Sequence, residues 1–185
     1  GYSTVDVVLS LAGGWNWISI NATADSAYVG SILAPLGTSA KYITSQSSGF
    51  STNYGDYGWY GDLTELDVKG MYMLDMEWDS LLVVTGMPVD VTSTPIDLVT
   101  GWNWIGYLPQ KASEVGSALS SVSDNAEYMT SQYDGFTTNY GDYGWYGSLS
   151  SMKPGSGYML QMNNPDSLLY PNNSDSTLSR SLNTD

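Results

Sequence analysis

One stretch of this sequence occurs twice. Gly14-Trp15-Asn16-Trp17-Ile18 returns as Gly101-Trp102-Asn103-Trp104-Ile105. The run from Tyr42 to Asp62, YITSQSSGFSTNYGDYGWYGD, returns from Tyr128 to Ser148 as YMTSQYDGFTTNYGDYGWYGS. Met71-Tyr72-Met73-Leu74 matches Gly157-Tyr158-Met159-Leu160, and Asp79-Ser80-Leu81-Leu82 matches Asp166-Ser167-Leu168-Leu169. The only two phenylalanines, Phe50 and Phe136, hold equivalent places. A tandem duplication constrains the fold more than any other feature, because both copies must adopt one topology. The expected organisation is a first module over 1–87, a second over 88–170 and a polar tail over 171–185.

Within a copy, the residue types predict a mainly β (α+β) module with one short helix packed on a sheet. Val5 to Leu11 alternates apolar and polar residues and leads into GWNWI, and Ile96 to Val99 does the same in the second copy. Val29, Ile32, Leu33 and Leu36, like Val115, Ala118, Leu119 and Val122, sit at helical spacing. A helix of about two or three turns follows, with Asp25 and Ser113 as N-caps. Strands are then expected near Tyr42 to Gln46 and Tyr128 to Gln132, after an aromatic loop as a pair joined by a turn, and at Leu81 to Thr85 and Leu168 to Tyr170. The turn is Lys153-Pro154-Gly155-Ser156-Gly157 in the second copy and Val68-Lys69-Gly70 in the first. Gly86 to Pro95 carries Gly, Pro, Ser and Thr and reads as a linker. Tyr2 to Leu11, with no lysine or proline before Ala34, reads as an open edge strand.

Charge and missing residue types narrow the function. Nineteen acidic residues against five basic ones give a net charge of −14. Such a surface repels nucleic-acid backbones and anionic membranes. No apolar run reaches the ~20 residues of a membrane helix, so no membrane insertion is expected. With no histidine and no cysteine, neither a Ser-His nor a Cys-His pair can be built. The chain begins at Gly1 rather than Met and reads as a processed chain or a segment of a longer precursor. No cofactor is expected. Hard cations would take carboxylate oxygens, but no EF-hand or nonapeptide spacing appears, so no metal site is assigned.

The densest motif, Asn53-Tyr54-Gly55-Asp56-Tyr57-Gly58-Trp59-Tyr60-Gly61, recurs at Asn139 to Gly147. Trp59 and Trp145 read as module framework. Tyr54, Asp56, Tyr57 and Tyr60, with Tyr140, Asp142, Tyr143 and Tyr146, are the candidate ligand contacts, with rings to stack on sugars and carboxylates to bond hydroxyls. Trp78 joins them because the second copy has Asn163-Asn164-Pro165 in its place. Trp15 and Trp17, like Trp102 and Trp104, share one strand face and are assigned to the core. Asp56 and Asp142 are not expected to be catalytic. Their GDYG setting lacks the Asp-Thr/Ser-Gly of pseudo-symmetric aspartic proteases, and Asp between glycines is ordinary turn chemistry. Asn21-Ala22-Thr23 fits the N-glycosylation pattern.

GWNWIS, then TSQ-x-x-GF-x-x-NY, GW-x-G-S-L and PG-x-GYML resemble a GWNW-type repeat module of secreted and cell-surface bacterial proteins, especially of the Bacteroidota. Gly144 to Leu149 and Pro154 to Tyr158 carry the resemblance most fully, and the first copy departs from it at Lys69-Gly70-Met71. The resemblance implies an extracellular or cell-surface location and treats GW-x-G as framework. The leading expectation is therefore a non-catalytic structural or adhesion protein, partnered by copies of itself or by neighbouring surface proteins and assembling into a layer or filament. The alternative is a carbohydrate-binding module with two similar aromatic sites and a polysaccharide partner.

Overall fold

The computed structural model describes residues 3–172. Gly1, Tyr2 and the expected tail from residue 173 onward lie outside the described residues. The first copy contains β1 (Val5–Leu11), β2 (Gly14–Ile18), β3 (Ala22–Thr23), α1 (Val29–Ile32), β4 (Ala40–Thr44), β5 (Phe50–Asn53), β6 (Trp59–Gly61), β7 (Tyr72–Met76) and β8 (Ser80–Pro88). The second contains β9 (Ile96–Leu98), β10 (Gly101–Gly106), β11 (Ser113–Glu114), α2 (Val115–Ala118), β12 (Ala126–Thr130), β13 (Phe136–Asn139), β14 (Trp145–Gly147), β15 (Ser151–Met152), β16 (Gly157–Met162) and β17 (Asp166–Leu168). The chain is mainly β and its sheets are antiparallel.

Each copy builds a five-stranded sheet of the same order, β2-β7-β4-β5-β6 in the first and β10-β16-β12-β13-β14 in the second. Registers coincide as well. Trp15 lies opposite Asp75 and Trp102 opposite Gln161, and a bulge falls between Ala40 and Tyr42 and again between Ala126 and Tyr128. Beside these sheets run β1-β8-β3 and β17-β9. Their inward residues, among them Leu9, Leu11 and Leu82 or Ile96, Leu98 and Leu168, close a separate apolar core in each copy.

The helical stripe is where the spacing puts it, with Val29, Leu33 and Leu36 buried, as are Val115, Ala118, Leu119 and Val122. The helix is shorter than expected, a single α-turn continued by 3₁₀ turns. Its N-caps are Tyr28 and Glu114, not Asp25 and Ser113, and neither caps through its side chain. Backbone carbonyls of neighbouring loops do that work instead. Val29 N–H donates to Thr64 O (2.9 Å) and Val115 N–H to Ser150 O (3.0 Å), so the first orphan donors are satisfied without a cap.

The expected linker is structured. β8 continues through Pro88, where it pairs with β3, so the expected boundary after residue 87 falls inside a strand. Asp90 then caps a 3₁₀ turn over Val91–Ser93, and Val91 is buried. Gly86 is there for close approach: a Cβ would collide with the Thr23 carbonyl.

The copies meet through a reciprocal joint. Gln46 accepts from Trp104 N (2.8 Å) and donates to Trp102 O (2.8 Å), while Gln132 accepts from Trp17 N (2.8 Å) and donates to Trp15 O (2.6 Å). Ser19 N–H donates to Gly155 O (3.1 Å), and Gly106 N–H to Lys69 O (2.9 Å). The same patch serves on both sides, as in a two-fold dimer. Each glutamine thereby closes the open edge of the other copy's sheet, a place where unpaired backbone groups would invite aggregation. Asn21 belongs to this joint. It is 1% exposed and donates to Pro109 O (2.8 Å), which closes the glycosylation pattern in the folded chain.

Candidate functional site

The aromatic loops stand as their residue types suggest. Asn53 accepts from Gly55 N (3.0 Å) and donates to Ala40 O (2.7 Å), and Tyr54 N–H donates to Gly58 O (2.9 Å). Gly58 takes φ 88° and Gly144 φ 86°, a left-handed conformation that a side chain would disfavour. Between them, Gly55–Tyr57 and Gly141–Tyr143 form a 3₁₀ turn. Tyr57 and Tyr143, each 82% exposed, project from these turns. Tyr54 pairs with Tyr60, and Tyr140 with Tyr146, at ring distances of 6.0 Å. Trp59 is buried and Trp145 half-buried, so both serve as framework.

Asp56 and Asp142 are exposed on their turns and line separate shallow grooves, one with Tyr28, Asn53 and Trp59, the other with Asp124 and Asn139. Neither of these two grooves holds both. Trp78 is exposed on the turn between β7 and β8, away from the paired rings.

The assignment of the paired tryptophans to the core is overturned. Asn16 and Ile18 point inward, as do Asn103 and Ile105, and the tryptophans take the outer face. Asn16 accepts from Ala12 N (2.9 Å) and shares its amide N–H groups among Ala12 O (2.8 Å), Gly14 O (3.0 Å) and Leu74 O (3.3 Å). Asn103 repeats this with Val99, Gly101 and Leu160. A buried amide with its bonding capacity used costs little, so the indoles are free to face outward.

The outward indoles form a site that the sequence reading missed. Trp15, 46% exposed, meets Tyr42 edge-on at 5.8 Å, and Tyr42 stacks on Phe50 at 5.1 Å. Trp102, 42% exposed, meets Tyr128 at 5.8 Å, and Tyr128 stacks on Phe136 at 5.2 Å. The indole stands at 89° or 88° to the tyrosine, so each row is an aromatic corner. Tyr42 lies opposite Thr52, which lies opposite Tyr60. Directly opposed residues share a face, so Tyr60 and its partner Tyr54 extend the row and Tyr57 marks its end. Residue types marked the rings, two Trp at i, i+2 and the only two Phe at equivalent positions, but not the face they take.

Polar residues differ between the two faces. On the first, Lys41 pairs with Asp75 (3.6 Å) and Glu77 (3.3 Å). Glu77, then Asp75, hold the Lys41 ammonium above its usual pKa. Glu127, Gln161 and Asn163 take these places in the second copy. Two polar grooves of about 310 and 320 Å³ flank the joint, each lined by both copies. Lys153 meets Asp134 (3.9 Å) in one of them. Among the described residues, no cluster of three or more acidic side chains is placed to hold a metal ion, and no helix is long and apolar enough to cross a membrane.

Comparison with protein-family models, with curated proteins and with solved structures returned no match to this chain.

Proposed function

We propose that this chain is a non-catalytic extracellular adhesion protein that holds an extended polysaccharide on the aromatic outer faces of its two sheets. The observation that carries the reading is the row of Trp, Tyr and Phe, exposed and reproduced on both sheets with ring distances that agree to 0.1 Å. Exposed rings in a fixed row fit the C–H faces of successive sugars, and large rigid side chains contribute contact area at low entropic cost. Resemblance to GWNW-type surface modules supports the extracellular setting. Retention on insoluble polysaccharides, paired with a glycan array, tests the reading. The full chain should be retained, and Trp15→Ala/Trp102→Ala should be released. A double variant retained as strongly as the native chain would refute it.

Self-assembly is the second reading, and one observation favours it. β1 is an edge strand, and Val8, Leu81 and Val83 lie exposed on the β1–β8 surface. A second copy adding its strand to β1 would pair that edge and cover Val8. The turn at Gly155 already packs on Leu9 and so covers part of that edge.

A further inference from the structure

We propose that the second face, around Trp102, Tyr128 and Phe136, is the stronger platform and that its ligand is a neutral polysaccharide. The inference rests on the polysaccharide reading above. The rings on the two faces are alike, so any difference in binding must come from the groups set between them. On the first face Asp75 lies opposite both Trp15 and Tyr42, and its carboxylate is engaged with Lys41. On the second, Gln161 lies opposite both Trp102 and Tyr128 and is half-buried between them.

A carboxamide presents two N–H donors and an acceptor oxygen. That set complements neighbouring sugar hydroxyls, each both donor and acceptor. An uncharged amide is also cheap to cover. A sugar laid over Lys41, Asp75 and Glu77 would have to desolvate three charges to gain the same ring contacts, and covering charge is far more costly than covering an amide. The second face carries a single charge at these three places, Glu127 where the first has Lys41, exposed and acidic. With a chain net charge of −14, that face repels acidic polymers and leaves neutral ones as its partners.

Affinity electrophoresis of the full chain tests this, in gels carrying hydroxyethylcellulose, xyloglucan or galactomannan as neutral probes and polygalacturonate as the acidic one. At least one neutral polymer should retard the native chain, and polygalacturonate should not. Trp102→Ala should weaken the retardation about tenfold, on the scale of losing a central aromatic anchor. Trp15→Ala should weaken it less than about twofold. Gln161→Asp, a surface change that leaves every ring in place, should weaken it about fivefold or more, and melting curves check that each variant is folded. Equal losses from Trp15→Ala and Trp102→Ala would overturn the ranking of the faces and leave the polysaccharide reading standing. Full retardation of Gln161→Asp would overturn the role given to the amide. Retardation by polygalacturonate would overturn the neutral ligand. A native chain retarded by none of the neutral polymers would overturn this inference and the reading beneath it together.

Discussion

Asn16 decides which side of its strand is inside. Alternation says that Trp15 and Trp17 share a face, and it says so for Asn16 and Ile18 too, but it does not say which face meets the core. Hydrophobicity favours burying the indoles. What wins is the turn at Ala12, whose N–H and C=O both need partners and find them in the Asn16 amide. That is a tertiary fact about one turn, so the site it creates on the opposite face was not legible in residue types. Asn16→Ala would remove a buried amide that bonds Ala12, Gly14 and Leu74, and we expect it to cost about 1–3 kcal/mol, read as a lower melting temperature. Trp15→Ala should change stability by no more than about 1 kcal/mol, because its ring lies on the outer face and is nearly half exposed. A larger loss in melting temperature for Trp15→Ala than for Asn16→Ala would contradict the assignment of faces. The candidate tyrosines were legible because glycines on either side of a ring signal a tight turn and an outward side chain. Trp78 was legible only as an unrepeated residue, and its place on a hairpin turn adds no neighbouring ring.

At the scale of elements, the strands beginning at Val5 and Gly14 and the helical stripe followed from apolar period, which is set by backbone geometry and survives tertiary packing. Three features did not follow. Helix caps were misplaced because backbone carbonyls from neighbouring segments took over their role. The linker was misread because Gly86 looks like flexibility and acts as clearance. Gly86→Ala should therefore destabilise by about 1–3 kcal/mol, whereas in a true linker it would be neutral or slightly stabilising; denaturant midpoints separate the two. Register was the third. The matched quartets Asp79 to Leu82 and Asp166 to Leu169 suggest that Leu81 corresponds to Leu168. In the ladders, though, Leu82 lies opposite Leu9 and Leu168 opposite Ile96. A slip of one residue turns a strand over, which is why Leu81 is exposed while Leu168 is buried.

At the scale of the whole molecule, two cores are tied by one reciprocal joint, so both copies should unfold in a single calorimetric transition. Gln46→Ala/Gln132→Ala should weaken that coupling until two transitions separate. High pH should destabilise the second copy more than the first. Burial pushes the Tyr158 phenol up to about 12, and Tyr170, also through burial, well above its usual range. Both groups are held neutral in the fold. The Tyr158 contribution is fully present below the unfolded phenol value of about 10 and is lost as pH climbs from there through about 12, roughly 3 kcal/mol, and Tyr170 acts in the same direction. Melting temperatures taken at rising pH should fall over that window, and less steeply in Tyr158→Phe. Association through the β1 edge, where it occurs, should strengthen with ionic strength as salt screens the net charge; sedimentation at low and high salt measures it. The joint also sets what each copy is free to become. Gly-Trp-Asn-Trp and Thr-Ser-Gln, the strings that carry the glutamine bonds of the seam, read the same in both halves, while Lys41 and Asp75 on one face have drifted to Glu127 and Gln161 on the other. A change at the seam must suit two neighbours at once, whereas a change on a face answers only to what lands there. The doubled gene thus keeps the glutamine stitches of its hinge line, while the rest of that line, where Gly106 answers to Ser19 and Gly155 to Lys69, and the palms beside it have diverged.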